Sequence, residues 1–204
     1  MRNLGRRSLL AWLASGISLA ATSPMAWAQE TKVWRAGNYS FSDEKGGFAI
    51  RGVSGLGTEK DPVIIEQELY SASPVTMVIR AAGYLDNYDR SAADLTSGSL
   101  YLRLAIRNAS GQSWLEFEFE LQETEGKASI FSDGLSFNQK GDSEDGIGST
   151  GFSKYDRDFE PYDRLRFING KVDVRQSVDF SFALTDFTPR QTFFLVEDPR
   201  IPFS

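Results

Sequence analysis

The chain has 204 residues, with 22 Lys and Arg against 28 Asp and Glu, and it contains neither Cys nor His. These two absences exclude disulfides, thiolate nucleophiles, Ser-His-Asp triads and metal sites built from Cys or His. The length is that of one ordinary domain. The acidic balance argues against nucleic acid and anionic membrane as partners, because both favour dense Lys and Arg.

Residues 1–28 have the pattern of a cleaved export signal. Three arginines in the first seven residues precede an apolar stretch, Leu9–Ala21, and then Ala26-Trp27-Ala28, a small-x-small cleavage pattern. The segment Arg6–Leu10 also fits a twin-arginine signal, so the export route stays open. We expect residues 29–204 to form one periplasmic or extracellular domain, with no stable membrane insertion after cleavage.

Alternation of apolar and polar residues dominates the rest of the chain. The three clearest strands are Leu100–Arg107, Trp114–Leu121 and Val178–Leu184, in which every second residue is apolar. In the second strand we expect Leu115 to face the core with the phenylalanines, and Trp114 to face outward with the glutamates. Asn108-Ala109-Ser110-Gly111 lies between the first two and predicts a hairpin loop. Asn169-Gly170 predicts a tight turn.

Weaker alternation predicts seven more strands: Trp34–Phe41, Phe48–Val53, Val63–Leu69, Val75–Ala82, Ser129–Phe131, Leu165–Ile168 and Thr192–Val196. About ten short strands without a helical period predict an all-β fold, an antiparallel β-sandwich of jelly-roll type. The 15 Phe residues predict a rigid aromatic core.

Glu116, Glu118 and Glu120 form a row on one predicted strand face, about 7 Å apart along the strand. A pair of carboxylates near this spacing is the machinery of glycoside hydrolysis. The row resembles the acidic strand of laminarinase-like jelly-roll glycosidases, with Glu in the middle where that family has Asp. The other interpretation is a solvated face whose glutamates pair with Arg103 and Arg107 on the preceding strand.

Gln139–Asp163 is the longest polar interval and predicts a long loop. Its carboxylates Asp142, Glu144, Asp145, Asp156 and Asp158 are candidate calcium ligands, because Ca²⁺ prefers several oxygen ligands. The alternative is a solvated loop without a metal.

The same interval contains Tyr155, Phe159 and Tyr162. Aromatic side chains beside carboxylates suit sugar rings or a protein partner, so these three are the candidate ligand-binding residues. Aromatic residues in loops also often anchor the loop to the sandwich.

From Asn108 onward, six segments occur in an order that can be compared with that of known domains. They are Asn108–Gly111, Trp114–Leu121, Phe131–Phe137, Asp163–Val172, Ser177–Phe182 and Phe193–Pro199. The order is similar to that of a loose group of exported bacterial β-sandwich domains from extracellular matrix and cell-surface proteins, some with C-terminal sorting anchors. The resemblance implies a sandwich and no catalytic residues. This chain ends at Pro202-Phe203-Ser204 without an anchor helix, which implies release or retention by a partner.

The sequence therefore predicts an exported, non-enzymatic binding or structural protein that contacts a polysaccharide or a surface protein. One alternative is a carbohydrate-active enzyme using Glu116 and Glu120. The other is a matrix domain stabilised by calcium. No other cofactor is expected.

Overall fold

In the computed structural model, which describes residues 32–81, 98–137, 146–187 and 190–201, the alternating segments form two stacked β-sheets. The strands in these ranges, in chain order, are β1 (Trp34–Ala36), β2 (Tyr39–Ser42), β3 (Phe48–Ser54), β4 (Val63–Leu69), β5 (Val75–Ala81), β6 (Gly98–Asn108), β7 (Glu116–Gln122), β8 (Leu135–Phe137), β9 (Gly148–Ser149), β10 (Phe152–Asp156), β11 (Arg164–Gly170), β12 (Ser177–Asp186) and β13 (Thr192–Arg200). The described residues belong to one unit, Thr31–Ser204. The predicted all-β sandwich is confirmed.

The seven-stranded sheet has the order β1-β2-β5-β13-β7-β11-β10, and the six-stranded sheet has β3-β4-β6-β12-β8, with β9 also on β12. Every described pair is antiparallel except β4 with β6. That pair is parallel because the chain leaves the six-stranded sheet after β4, forms β5 in the other sheet, and returns in its original direction. No helix in the described ranges is long and apolar enough to span a membrane.

The core lies between the sheets and is largely aromatic. Phe117 and Phe119 on β7 pack against Phe180 on β12, with ring centroids 4.7 and 5.1 Å apart. Phe119 also meets Phe182, at 4.9 Å. These rings alternate with outward residues on both strands, as predicted, so strand alternation alone identifies the two inner faces.

The predicted hairpin between β6 and β7 is wrong. β6 lies in the six-stranded sheet and β7 in the seven-stranded one, so residues 109–115 cross between the sheets. Asn108 stabilises this crossover: its amide donates to the carbonyls of Gln112 and Val172, at 2.7 and 3.1 Å. Trp114, predicted to face outward, is fully buried, and its indole N–H donates to Ser110. Leu115, predicted to be in the core, is exposed.

Local turns explain the other differences. Gly37, at φ 53°, divides the predicted strand Trp34–Phe41 into β1 and β2, and a Cβ there would lie 2.4 Å from the Leu56 carbonyl oxygen. Ser129–Phe131 is only an isolated bridge, through Ile130. Asn169-Gly170 ends β11 instead of joining two hairpin strands. Three short strands, β8, β9 and β10, were not predicted.

One polar pair crosses the core. Glu197 on β13 is fully buried, and it accepts a 2.5 Å hydrogen bond from the Gln67 amide on β4 in the opposite sheet. Its neighbours across the strands are Phe119 and Val75. Within the described residues, neither Glu197 Oε1 nor Gln67 Oε1 has a hydrogen-bond partner. Burial raises the pKa of Glu197 to about 8, against the opposing effect of the Gln67 hydrogen bond.

Replacement of this carboxyl should alter how stability depends on pH. Glu197 in the unfolded chain ionises near its ordinary pKa of 4.5, whereas the folded protein keeps the proton until about 8. The contribution of Glu197 to the free energy of unfolding is therefore complete below its ordinary pKa of 4.5. It is lost as the pH rises through the folded-state pKa of about 8, by about 1.4 kcal/mol per pH unit. We expect Glu197→Gln to gain stability relative to the wild type across this window, measured by urea unfolding at several pH values.

The exposed Glu66, on the outer side of β4, provides the control for that experiment. Glu66→Gln removes the same charge but should follow the wild-type pH dependence. If the free energy of unfolding of Glu197→Gln also showed the wild-type pH dependence, the result would contradict a buried, neutral carboxyl at this position.

Candidate functional site

The outer face of the seven-stranded sheet contains a ladder of ion pairs, formed where β7 lies between β11 and β13. Glu118 is opposite Arg166 on one side and Asp198 on the other. The next rung has Glu120 opposite Arg164. Because directly opposed residues project from the same face of a sheet, these charges converge.

Glu118 is the centre of this ladder and is only 4% exposed. Arg166 and Arg200 each bind it at 2.8 Å, through different carboxylate oxygens. Arg164 lies 3.9 Å away. Both oxygens of this carboxylate accept hydrogen bonds from guanidinium groups, so neither oxygen is free to act on a substrate.

Glu120 is also held in place. Arg164 binds it with two nitrogens, at 2.6 and 2.7 Å, and Gln122 donates to its other oxygen at 2.7 Å. Its predicted partners were wrong: Arg103 pairs with Asp179 and Arg107 with Glu68, both in the six-stranded sheet. The arginines on β11 and β13 take their place because the chain crosses between sheets after β6.

Glu116 differs from the other two glutamates. Arg200 lies directly opposite Glu116 on β13, but its guanidinium contacts Glu118 and Asp198. Within the described ranges, no cation or hydrogen-bond donor pairs with the Glu116 carboxylate. It lies in a groove of about 1150 Å³ at the end of the ladder, where β7 begins and β11 and β13 end. The groove is lined by Ala72, Ser73, Pro74, Gln112, Leu115, Glu116, Ile168, Asn169, Gly170, Asp198, Pro199, Arg200 and Ile201. The row of three glutamates thus contains two structural anions and one available carboxylate.

Asp198 is the second carboxylate of the groove. Burial raises its pKa above the ordinary value, Arg200 opposes the rise, and Glu118 adds to it. The Nε of Arg200 lies 3.4 Å from Asp198. The groove therefore brings together two carboxylates of different environment, one guanidinium and the amides of Gln112 and Asn169.

The candidate aromatic residues do not lie on one surface. Tyr155 is opposite Phe167 on β11, and its ring packs against the core on the inner side of the sheet. Phe159 and Tyr162 lie beside the ladder, since Arg166 is 4.7 Å from the Phe159 ring and Arg164 is 5.3 Å from the Tyr162 ring. Tyr162 is 44% exposed. Two of the three aromatic residues thus belong to the glutamate face.

Of the five candidate calcium ligands, only Asp156 and Asp158 lie within the described residues. Asp142, Glu144 and Asp145 lie outside the described residues. Asp156 accepts a 2.9 Å hydrogen bond from the backbone N–H of Asp158, which closes a local turn. Within the described ranges, no three carboxylates are grouped so that they could hold a metal ion.

Asp163 was part of the same acidic interval but is buried. The Ser136 hydroxyl donates to it, and its backbone joins Ser129 and Leu121. Burial raises its pKa to about 6, against the effect of the Ser136 hydrogen bond. Asp163 therefore attaches the segment between β10 and β11 to β8, and it positions Phe159 and Tyr162 just before the first residue of β11.

Sequence reasoning missed Asp198, Arg200, Gln112 and Asn169 as site residues. A signal was available in Arg164-Leu165-Arg166-Phe167, which repeats the alternation of the glutamate row with the opposite charge. Complementary alternation of this kind indicates neighbouring strands. The groove had no such signal, because its residues come from four separate segments.

Comparison with protein-family models, with curated proteins and with solved structures finds no match to this chain. The similarity to exported β-sandwich domains thus remains a prediction from the sequence. Function has to be inferred from the groove and the ladder themselves.

The different roles of the glutamates can be tested through stability. Glu118→Gln keeps the shape of the side chain but leaves two partly buried guanidinium groups without their central anion, so we expect a loss of about 1–3 kcal/mol in unfolding free energy. Glu116→Gln should change it by less than about 0.5 kcal/mol. Urea unfolding of both proteins measures the difference, and equal losses would contradict it.

Proposed function

We propose that this is an exported carbohydrate-binding protein of the periplasm or extracellular space, in which the groove holds a segment of polysaccharide. The groove supports the proposal because it combines apolar walls with a few convergent polar groups. Leu115, Pro74 and Ile168 form an apolar wall. Glu116, Arg200 and Asn169 offer acceptors and donors of the kind that sugar hydroxyls need.

Phe159 and Tyr162 extend this surface. Tyr162 precedes β11, and the groove begins near Ile168 at the other end of that strand, about 20 Å away at the rise of an extended chain. The exposed ring of Tyr162 offers an apolar face to a sugar ring. An extended polymer that fills the groove could therefore also reach the aromatic pair, whereas a single sugar could not.

Binding is favoured over hydrolysis because the carboxylates of Glu118 and Glu120 already form ion pairs with arginines. Glu120 is therefore not available as the catalytic partner of Glu116 that the sequence suggested. A glycoside hydrolase remains the second candidate only through Glu116 and Asp198, since the raised pKa of Asp198 is a property of a general acid. A structural role in a matrix, or contact with a surface protein, would make no use of the groove.

Retention on immobilised polysaccharides, recorded together with the release of reducing ends, distinguishes these functions. We expect the purified protein to be retained on at least one polymer without releasing ends. Tyr162→Ala should weaken retention by about tenfold, or 1.4 kcal/mol, because it removes the aromatic platform.

Tyr70→Ala is the matched control, since Tyr70 is similarly exposed but lies next to β4 in the other sheet. Its retention should equal that of the wild type. If the wild type releases reducing ends and the Glu116→Gln and Asp198→Asn variants do not, hydrolysis would replace binding as the function of the groove. Absence of retention on every polymer would refute the proposed function.

A further inference from the structure

The charge balance of the ladder leaves one carboxylate without compensation. Three guanidinium groups, those of Arg164, Arg166 and Arg200, face four carboxylates. Arg164 neutralises Glu120, and Arg166 neutralises Glu118. Arg200 lies between Glu118 and Asp198, at 2.8 and 3.4 Å. The remaining carboxylate, that of Glu116, is the one that lines the groove.

Other cations near the groove are already paired. Lys171 follows the groove residue Gly170, but its ammonium group binds Asp173 at 2.9 Å. Arg200 is the one cation among the described residues of the groove wall. It lies directly opposite Glu116, but its Nη2 donates to Glu118 and its Nε is 3.4 Å from Asp198. A ligand in the groove therefore meets an acceptor, Glu116, with which no cation of the described residues forms an ion pair.

The unpaired carboxylate of Glu116 in the groove should favour some polysaccharides over others according to their charge. A polymer rich in carboxylate or sulfate groups would meet the negative groove and an acidic protein, whose whole chain has a net charge of −6. A neutral sugar would leave Glu116 with a hydrogen bond but no counter-charge. A protonated amine supplies both, in a charge-assisted hydrogen bond.

Building on the proposed function, we propose that the groove binds a polysaccharide with free amino groups, that is, a deacetylated amino sugar, and that Glu116 is the ion partner of one ammonium group. The flanking residues fit such a ring: Leu115 and Pro74 offer apolar contact, and the Asn169 amide offers hydrogen bonds to neighbouring hydroxyls.

Binding of three oligosaccharides of equal length tests this assignment: oligoglucosamine, its fully N-acetylated form and oligogalacturonate. Calorimetry on the purified protein at mildly acidic pH, where the amines are protonated, should rank them in that order. Added salt should weaken the first and leave the second nearly unchanged. Glu116→Gln should reduce the affinity for oligoglucosamine by about two- to fivefold, the range expected of a partly exposed ion pair.

Glu66→Gln separates a specific site from general attraction of a polycation to an acidic protein. Glu66 is an exposed glutamate on the outer face of the other sheet, also without a partner in the described ranges. Its replacement should leave the affinity unchanged. Equal losses in both variants would mean non-specific attraction and overturn the assignment.

The remaining outcomes keep the two proposals distinguishable. Equal affinity for the amino and acetylated oligosaccharides would overturn the preference for amines while supporting a carbohydrate-binding groove. Preference for oligogalacturonate would overturn the preference for amines and would indicate that an anionic ligand binds to Arg200. Failure to bind these three, with retention on another polymer, would reject amino sugars alone.

Discussion

The register of β7 between β11 and β13 is the constraint on which both the core and the candidate site depend. It places Phe117 and Phe119 against the rings of β12, and it places the intervening Glu118 between Arg166 and Asp198. A shift of one residue would turn the phenylalanines to the outer face and the glutamates into the core. Aromatic packing and ion pairing therefore favour the same alignment from opposite sides of the sheet.

This register also divides three chemically identical side chains into different roles. Glu118 and Glu120 lie along the shared length of β7, β11 and β13, where arginines are available on the neighbouring strands. Glu116 lies at the first position of β7, opposite Arg200 on β13, whose guanidinium contacts Glu118 and Asp198 instead. The direction of the arginine side chains thus decides which glutamates are paired and which one is available.

The polar pair inside the core shows a different balance. Gln67 and Glu197 occupy inward positions of β4 and β13 where the alternation would place apolar residues. A buried carboxylate would be costly there, and the raised pKa of Glu197 reflects its conversion to the neutral acid. The pair joins the two sheets by a directional contact inside a core that is formed largely by packed aromatic rings.

Much of the fold could be predicted because alternation is a local property: Leu100, Phe117 and Phe180 are buried where the period of two places them. That signal cannot tell which sheet a strand joins, so β6 and β7 were wrongly paired and Arg103 and Arg107 were given the wrong partners. It also fails where the chain bends, as at Trp114 and Leu115. The sequence by itself determined an all-β, aromatic-cored protein without cysteine or histidine chemistry. Only the tertiary structure decided which glutamate is available and where the groove lies, because both depend on side chains from strands far apart in sequence.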